Sequence, residues 1–535
     1  MPTSIPHARR YGAFALLTLA ASASFGFPAA KTAPPAARTS VSAEARTAKA
    51  FEDARKEGPL ALRAFLYRMP KGADLHNHLS GAIYAETWIR DAGEDHLCVD
   101  TKTLSFIAPA KATHPSPDCG EGQVDAATVP QNQHLYDALI DAFSMRTFVP
   151  RTADSGHDHF FDTFGEFSGT SKKHMGEWLD EVASRAAAQN EQYLELMDTP
   201  DFKDAARLAA PLAQSMGGAP DFGRLRQQLL DAGIKDSIPA IRANLDAAEA
   251  DRRQIEHCGQ ADEQPACKVK IRYIYQVLRG LPPEVVFAQI LLGFETASAD
   301  PRFVGLNLVQ PEDGYLAMRD YRLHMQMLDA LHGDYPGVHI SLHAGELAPG
   351  MVPPDGLRFH IRLAVEQGEA ERIGHGVDIM YEDHPYELLK EMAVKHVMVE
   401  VNLTSNDVIL NIKGDQHPFE IYRKYGVPVA LSTDDEGVSR IDLTHEYVRA
   451  AVTYPLSYHD FKKMVRTSIE HSFLPGASIW QQSVPETLDK PVEACAGQIG
   501  EETPTGPCAE LIYRSEKAQQ QWELEHRFHI FEASF

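Results

Sequence analysis

The 535-residue chain has no two cysteines at C-x-x-C spacing, no internal repeat and no concentrated stripe of lysine and arginine. Each absence closes off a class. Without close cysteine pairs there is no zinc knuckle. Lys plus Arg total 51 against 75 Asp plus Glu, a net charge of -24, so nucleic acid and anionic lipid are repelled. What remains is a globular protein, 44% apolar, acting on a small molecule that does not carry several phosphates.

The amino terminus reads as three parts: a basic stretch ending Arg9-Arg10, an apolar run from Tyr11 to about Ala20, and Ala21-Ser22-Ala23. That order predicts a secretory signal peptide over 1–23, with an uncleaved anchor as the alternative. The run is too short for comfortable membrane spanning, and no cysteine follows it to carry a lipid. An exported protein, periplasmic or secreted, is expected, with no stable membrane insertion after cleavage. Residues 24–47, rich in Ala, Pro, Thr and Ser, read as a disordered lead-in. Six cysteines in an exported chain favour disulfides, and their order suggests Cys98 with Cys119, Cys258 with Cys267 and Cys495 with Cys508, one of fifteen connectivities.

Eight short β-rich runs recur between helical patterns: "ADLHNHL", "EQYLELM", "VKIRYIYQV", "RFVGLNLV", "VHISLHAG", "ERIGHGV", "VMVEVNLT" and "PVALSTD". Strand then helix, repeated, requires parallel neighbours joined by crossovers, and eight units predict an α/β fold, a closed (β/α)8 TIM barrel. A doubly wound sheet is the alternative. The barrel is expected over 48–475, with a disulfide-closed insertion near 92–135, a helical one near 201–267 and a carboxyl-terminal extension over 476–535.

Barrel enzymes place reacting groups at the carboxyl ends of strands. Here the first run ends with His76 and His78, two residues apart and therefore on one face of a strand. The fifth ends with His343 and Glu346, the sixth with His375, and the eighth with Asp434 and Asp435. A lone histidine in an apolar strand is usually a hydrogen-bonded core residue, and paired aspartates are usually a turn or cap. Four strand ends carrying such groups together point instead to one site. Three imidazoles and the Asp434 carboxylate suit one zinc ion per chain, completed by a water whose pKa falls to about 7. Glu346 is placed to move protons. His375 orients or deprotonates the water and stabilises charge as it forms. Asp435 is left to hydrogen-bond the substrate.

Together "MPKGADLHNHLSGAI", "SLHAGE", "RIGHGV" and "LSTDDEGV", with "LTHEYVRAA" and "SIEHSFL" behind them, resemble the adenosine deaminase family over residues 68–84 and 300–475. The resemblance implies His76, His78, His343 and Asp434 as zinc ligands, Glu346 protonating purine N1, His375 acting on the water and Asp435 holding N7. It also implies a backbone N–H from Gly305 to N3. The expected reaction converts adenosine to inosine and ammonia. Ser80 departs from the acidic residue that most members carry there for the ribose hydroxyls, so 2'-deoxyadenosine, a modified adenosine or free adenine stay open as substrates. The exported form and the insertion after the first strand are similar to the family's extracellular growth-factor-related branch. The oligomeric state is open, a homodimer included.

Two rivals stand beside this reading. A binuclear amidohydrolase bridges its metals with a carboxylated lysine at the fourth strand, where "VGLNLVQPED" has none. A non-catalytic binding protein on a retained barrel has usually lost a ligand or the acid, and here all are present. The H-x-E with P-C-x-x-C signature of base-flipping deaminases is absent.

Overall fold

Eight strands run parallel in sequence order: β1 (Gly72–His78), β2 (Glu191–Asp198), β3 (Lys270–Leu278), β4 (Phe303–Val309), β5 (His339–Ala344), β6 (Arg372–His375), β7 (Met398–Val401) and β8 (Val429–Leu431). Each corresponds to one of the eight β-rich runs. Most of their residues are buried, as expected of strands covered on both faces by crossover helices. The computed structural model describes residues 42–109, 117–151, 155–481 and 488–535. Residues 43–535 form one unit.

Closure occurs where β8 ends. Asn77 and Asp434 form a parallel bridge, the Asp434 amide donates to the His76 carbonyl at 2.8 Å, and the His78 amide donates to the Asp434 carbonyl at 3.2 Å. The sheet is therefore a barrel rather than a doubly wound sheet, and its seam zips two of the candidate ligand-bearing segments together.

Inside the barrel an ionic string replaces part of the apolar filling. Glu195 pairs with Arg372 at 2.6 Å, Arg372 with Glu400 at 2.7 Å, and Glu400 with His76 at 2.6 Å, all fully buried. Burial of charge is tolerated there because each member has an opposite partner.

The disulfides Cys98–Cys119, Cys258–Cys267 and Cys495–Cys508 are all present. The first ties a small antiparallel sheet in which Cys98–Asp100 pairs with Ser105–Ile107 and Gln123–Asp125. The segment after β2 is helical, with Ile238–Ile255 its longest element. Two expected boundaries move. A helix over Ala43–Glu57 takes in the last residues of the expected lead-in, because Phe51 packs in the core. The last helix, Glu516–Ala533, buries Leu524, Phe528 and Phe531 in the same core as the barrel, so the carboxyl-terminal extension is partly a component of the main body. The expected signal peptide lies outside the described residues. Among the described residues no helix is long and apolar enough to cross a membrane.

Candidate active site and metal centre

The structure brings the imidazoles of His76, His78 and His343 and the carboxylate of Asp434 together, all buried, with one donor atom of each within 4.8 Å of the others. His78 Nε2 lies 3.1 Å from His343 Nε2 and 3.3 Å from Asp434 Oδ1, and His76 Nε2 lies 3.5 Å from the same oxygen. Donors about 2.0–2.1 Å from one tetrahedral ion have that spacing.

Hydrogen bonds behind the rings decide where their lone pairs point. His76 Nδ1 donates to Glu400 at 2.6 Å. His78 Nδ1 donates to Gln276 Oε1 at 2.8 Å. Asn307 Oδ1 accepts both the His343 amide at 3.1 Å and His343 Nδ1 at 2.7 Å, so the Asn307 atom there is an oxygen and the ring nitrogen is protonated. In each neutral ring the lone pair is then on Nε2 and faces the common point. His76 Nε2 is buried with no hydrogen-bond partner, and two Nε2 lone pairs facing each other at 3.1 Å repel. Burial disfavours a charge on His76, yet the Asp434 and Glu400 carboxylates beside it outweigh burial and lift its pKa to about 10, so Nε2 offers the common point a lone pair once a cation displaces its proton. The site is built to hold positive charge, and the donor set fits a divalent cation.

Glu346 and His375 flank this point. His375 Nδ1 is 3.7 Å from Glu346 Oε1, and His375 Nε2 is 3.8 Å from Asp434 Oδ2. Burial, aided by Asp434 and Glu312, pushes the Glu346 carboxyl well above the usual range, which favours its protonated form. Burial, with His76 adding to it against the pull of Asp434, holds His375 down to about 3, a neutral imidazole. Burial, against the pull of His78 and with Asp434 adding to it, pushes the Asp435 carboxyl well above the usual range. Its Oδ1 has no partner.

Local backbone explains these placements. His375 and Asp434 have φ of 73° and 61°, left-handed values that cost side-chain-bearing residues about 1–3 kcal/mol and concentrate at functional sites. A Cβ on Gly81 would fall 1.6 Å from Asp435 Oδ1, so only glycine at the end of "HLSG" leaves room for that carboxyl.

A cavity of about 390 Å³ opens above the four donors. Ser80, Gln276, Glu346, His375 and Asp435 line it, with Phe160, Phe161 and Phe164 of the helix Gly156–Glu166, and among the described residues no lysine or arginine does.

Gly305 does not belong there. It lies near the start of β4, where a Cβ would meet the His339 carbonyl and Phe473 at the opposite end of the barrel. The strand turns into the cavity at Val309, Gln310 and Pro311. Gln310, with φ of 84°, lines the cavity where Gly305 does not. Its side chain is drawn away to accept from the Gly280 amide at 2.7 Å, while Arg279 donates to its carbonyl at 3.0 Å and to that of His343 at 3.0 Å.

Sequence reading missed the supporting residues Gln276, Asn307, Glu400, Arg279 and Glu312. Glu312 accepts from the amides of Gly345 and Glu346 at 3.1 and 2.9 Å and is paired with His360, and it fixes the turn that carries the acid. Three of the five share a signal: a lone polar residue inside an apolar strand, as in "IYQV", "GLNL" and "MVEV".

Comparison with known proteins agrees with this geometry. The adenosine deaminase family model matches residues 181–480. An adenosine deaminase of Clostridium perfringens is 36% identical over 141 residues, 26% of this chain and 38% of that enzyme. One from Pectobacterium atrosepticum is 32% identical over 174 residues, 32% of this chain and 47% of that enzyme. The chain thus spans less than half the length of these curated relatives. Among solved structures, an Arabidopsis N6-mAMP deaminase aligns with a TM-score of 0.48 at 21% identity, covering 77% of this chain and 95% of that one. With the match extending over more than half of its length, the chain belongs to the adenosine deaminase family.

Proposed function

We propose that the protein is a zinc-dependent deaminase that hydrolyses adenosine, and 2'-deoxyadenosine, to the 6-oxopurine and ammonia. The observation that carries the reading is the convergence of the His76, His78 and His343 imidazoles and the Asp434 carboxylate, with the buried Glu346 carboxyl beside them. A zinc ion held by His76, His78, His343 and Asp434 would bring the pKa of a bound water down to about 7.

The chain's own groups supply the rest. Glu346 gives its proton to N1, which makes C6 electrophilic. Oxygen of the water bonds to C6, the C6–N6 bond breaks, and the water's protons are shared between the departing ammonia and the re-protonated Glu346. The sum is aminopurine plus water giving oxopurine plus ammonia. Asp435 donates to N7, the Gln310 backbone amide takes the place expected of Gly305 against N3, and the three phenylalanines exclude water from the ring.

Among the described residues the lining offers no lysine or arginine to pair with a 5'-phosphate, which supports nucleosides over nucleotides. Ser80 in the lining supports a second reading within the class, a modified adenosine or free adenine, because a hydroxyl binds sugar more weakly than a carboxylate. Three disulfides and the amino-terminal layout support export.

The test is ammonia release by zinc-loaded protein from adenosine, 2'-deoxyadenosine, adenine and AMP. Adenosine is expected to react and AMP not. The Glu346→Gln variant is expected to keep its zinc and lose turnover. Absence of ammonia from every aminopurine by fully loaded protein contradicts the proposal.

A further inference from the structure

The sequence leaves two roles open for His375, a base that takes a proton and a donor that gives a hydrogen bond. We propose that Asn406 and His417 act as positioning residues that fix His375 as the Nε2–H tautomer, so that it presents a hydrogen to the attacking oxygen instead of a lone pair. The inference deepens the deaminase reading and rests on it for its catalytic consequence.

The argument starts from an atom with only one option. The Phe419 backbone amide can donate but not accept, and it lies 3.1 Å from His417 Nδ1. His417 Nδ1 must therefore offer its lone pair. His417 is buried and neutral, so its hydrogen sits on Nε2, 3.0 Å from an Asn406 side-chain atom. That atom must accept and is the amide oxygen. The Asn406 nitrogen is then the one that faces His375 Nδ1, at 2.9 Å, and the Asn402 nitrogen approaches the same atom at 3.4 Å. Both donate. His375 Nδ1 accepts, and the ring's hydrogen is left on Nε2.

Among the described residues no acceptor within hydrogen-bond distance claims that hydrogen. His375 Nε2 is buried without a hydrogen-bond partner and sits 3.8 Å from Asp434 Oδ2, at the edge of the donor cluster. The chain Phe419, His417, Asn406, His375 thus transmits a choice made by one backbone amide to the reacting centre. A hydrogen there stabilises negative charge on the attacking oxygen. A lone pair would be needed to remove a proton from it.

Ring 15N spectra of histidine-labelled, zinc-loaded protein test this, with the His375 signals assigned by their loss in His375→Gln. Wild type is expected to show His375 Nδ1 unprotonated and Nε2 protonated. Asn406→Asp supplies a carboxylate that accepts a hydrogen from His375 Nδ1, so the spectrum is expected to reverse at that nitrogen. Its kcat is expected to fall on the order of 100-fold or more with zinc content kept and KM nearly unchanged. His417→Leu is expected to lose the fixed tautomer, and His417→Gln, which restores a donor to Asn406, is expected to recover most of the lost kcat. A wild-type spectrum with Nδ1 protonated overturns the proposal, as does an Asn406→Asp spectrum identical to wild type. The spectra need no substrate. If they read as expected while no aminopurine is hydrolysed, the tautomer assignment stands and the deaminase reading fails.

Discussion

The two ends of the barrel are both rich in buried charge, and they treat it in opposite ways. Toward the amino ends, charges meet opposite charges: Arg372 sits in ion pairs between Glu195 and Glu400 and lies 3.8 Å above the Phe473 ring, though Arg372 Nη2 and Glu195 Oε2 make no hydrogen bond among the described residues. At the carboxyl ends, His76 Nε2, His375 Nε2 and Asp435 Oδ1 are buried without hydrogen-bond partners. Groups left unsatisfied cost stability, and they persist where a ligand completes them. Glu400 joins the two regimes, with one oxygen on Arg372 and the other on His76. One end holds its charges in ion pairs of its own, and the other gathers donor atoms that a cation and, on the proposed function, a substrate would complete.

Substitutions at each end sharpen that contrast. The largest effect is expected at the reactive end, where Glu346→Gln should lower kcat on the order of 10³-fold or more while the urea midpoint and zinc content stay near wild type. At the stable end Arg372→Met strands Glu195 and Glu400, so a loss of about 3–5 kcal/mol in urea unfolding is expected. A small loss there would show the string to be ornamental.

Between them, Glu400→Gln weakens the acceptor behind His76, and a drop in zinc affinity of about 10–100-fold is expected in chelator competition, with a smaller change in folding. The smallest effect is a shift in pH dependence. On the proposed function Glu346 donates a proton, and its pKa is raised, so activity should be present below that pKa and lost as pH rises through it. Glu312 is one of the charges that raise it, so Glu312→Gln should move the alkaline limb of kcat to lower pH. A limb unmoved or moved upward contradicts the assignment.

The eight strands were legible because buried parallel strands are written as short apolar runs, and the candidate cluster was legible because its ligand-type residues stand at the ends of those runs. Gly305 was misread because a glycine inside a strand says that something approaches closely, not from which end. It stands five residues before Gln310, about 16 Å along a strand at 3.3 Å per residue. Gln310 gave no sign, since a left-handed backbone usually announces itself as glycine. The partners that set each imidazole's tautomer were hidden by distance, Glu400 lying 324 residues from His76 and Gln276 198 from His78. The small sheet near Cys98 has strands of three residues, too short for any period to show.

The central claim is that one divalent ion completes the carboxyl end of the barrel. Zinc quantitation on purified, zinc-equilibrated protein, with anomalous scattering from its crystals to place the ion, tests it most directly. One zinc per chain, located among His76, His78, His343 and Asp434 and absent from a His76→Ala, His343→Ala double variant that still folds, is the predicted result. Zinc bound elsewhere, or retained in full by the double variant, contradicts the account.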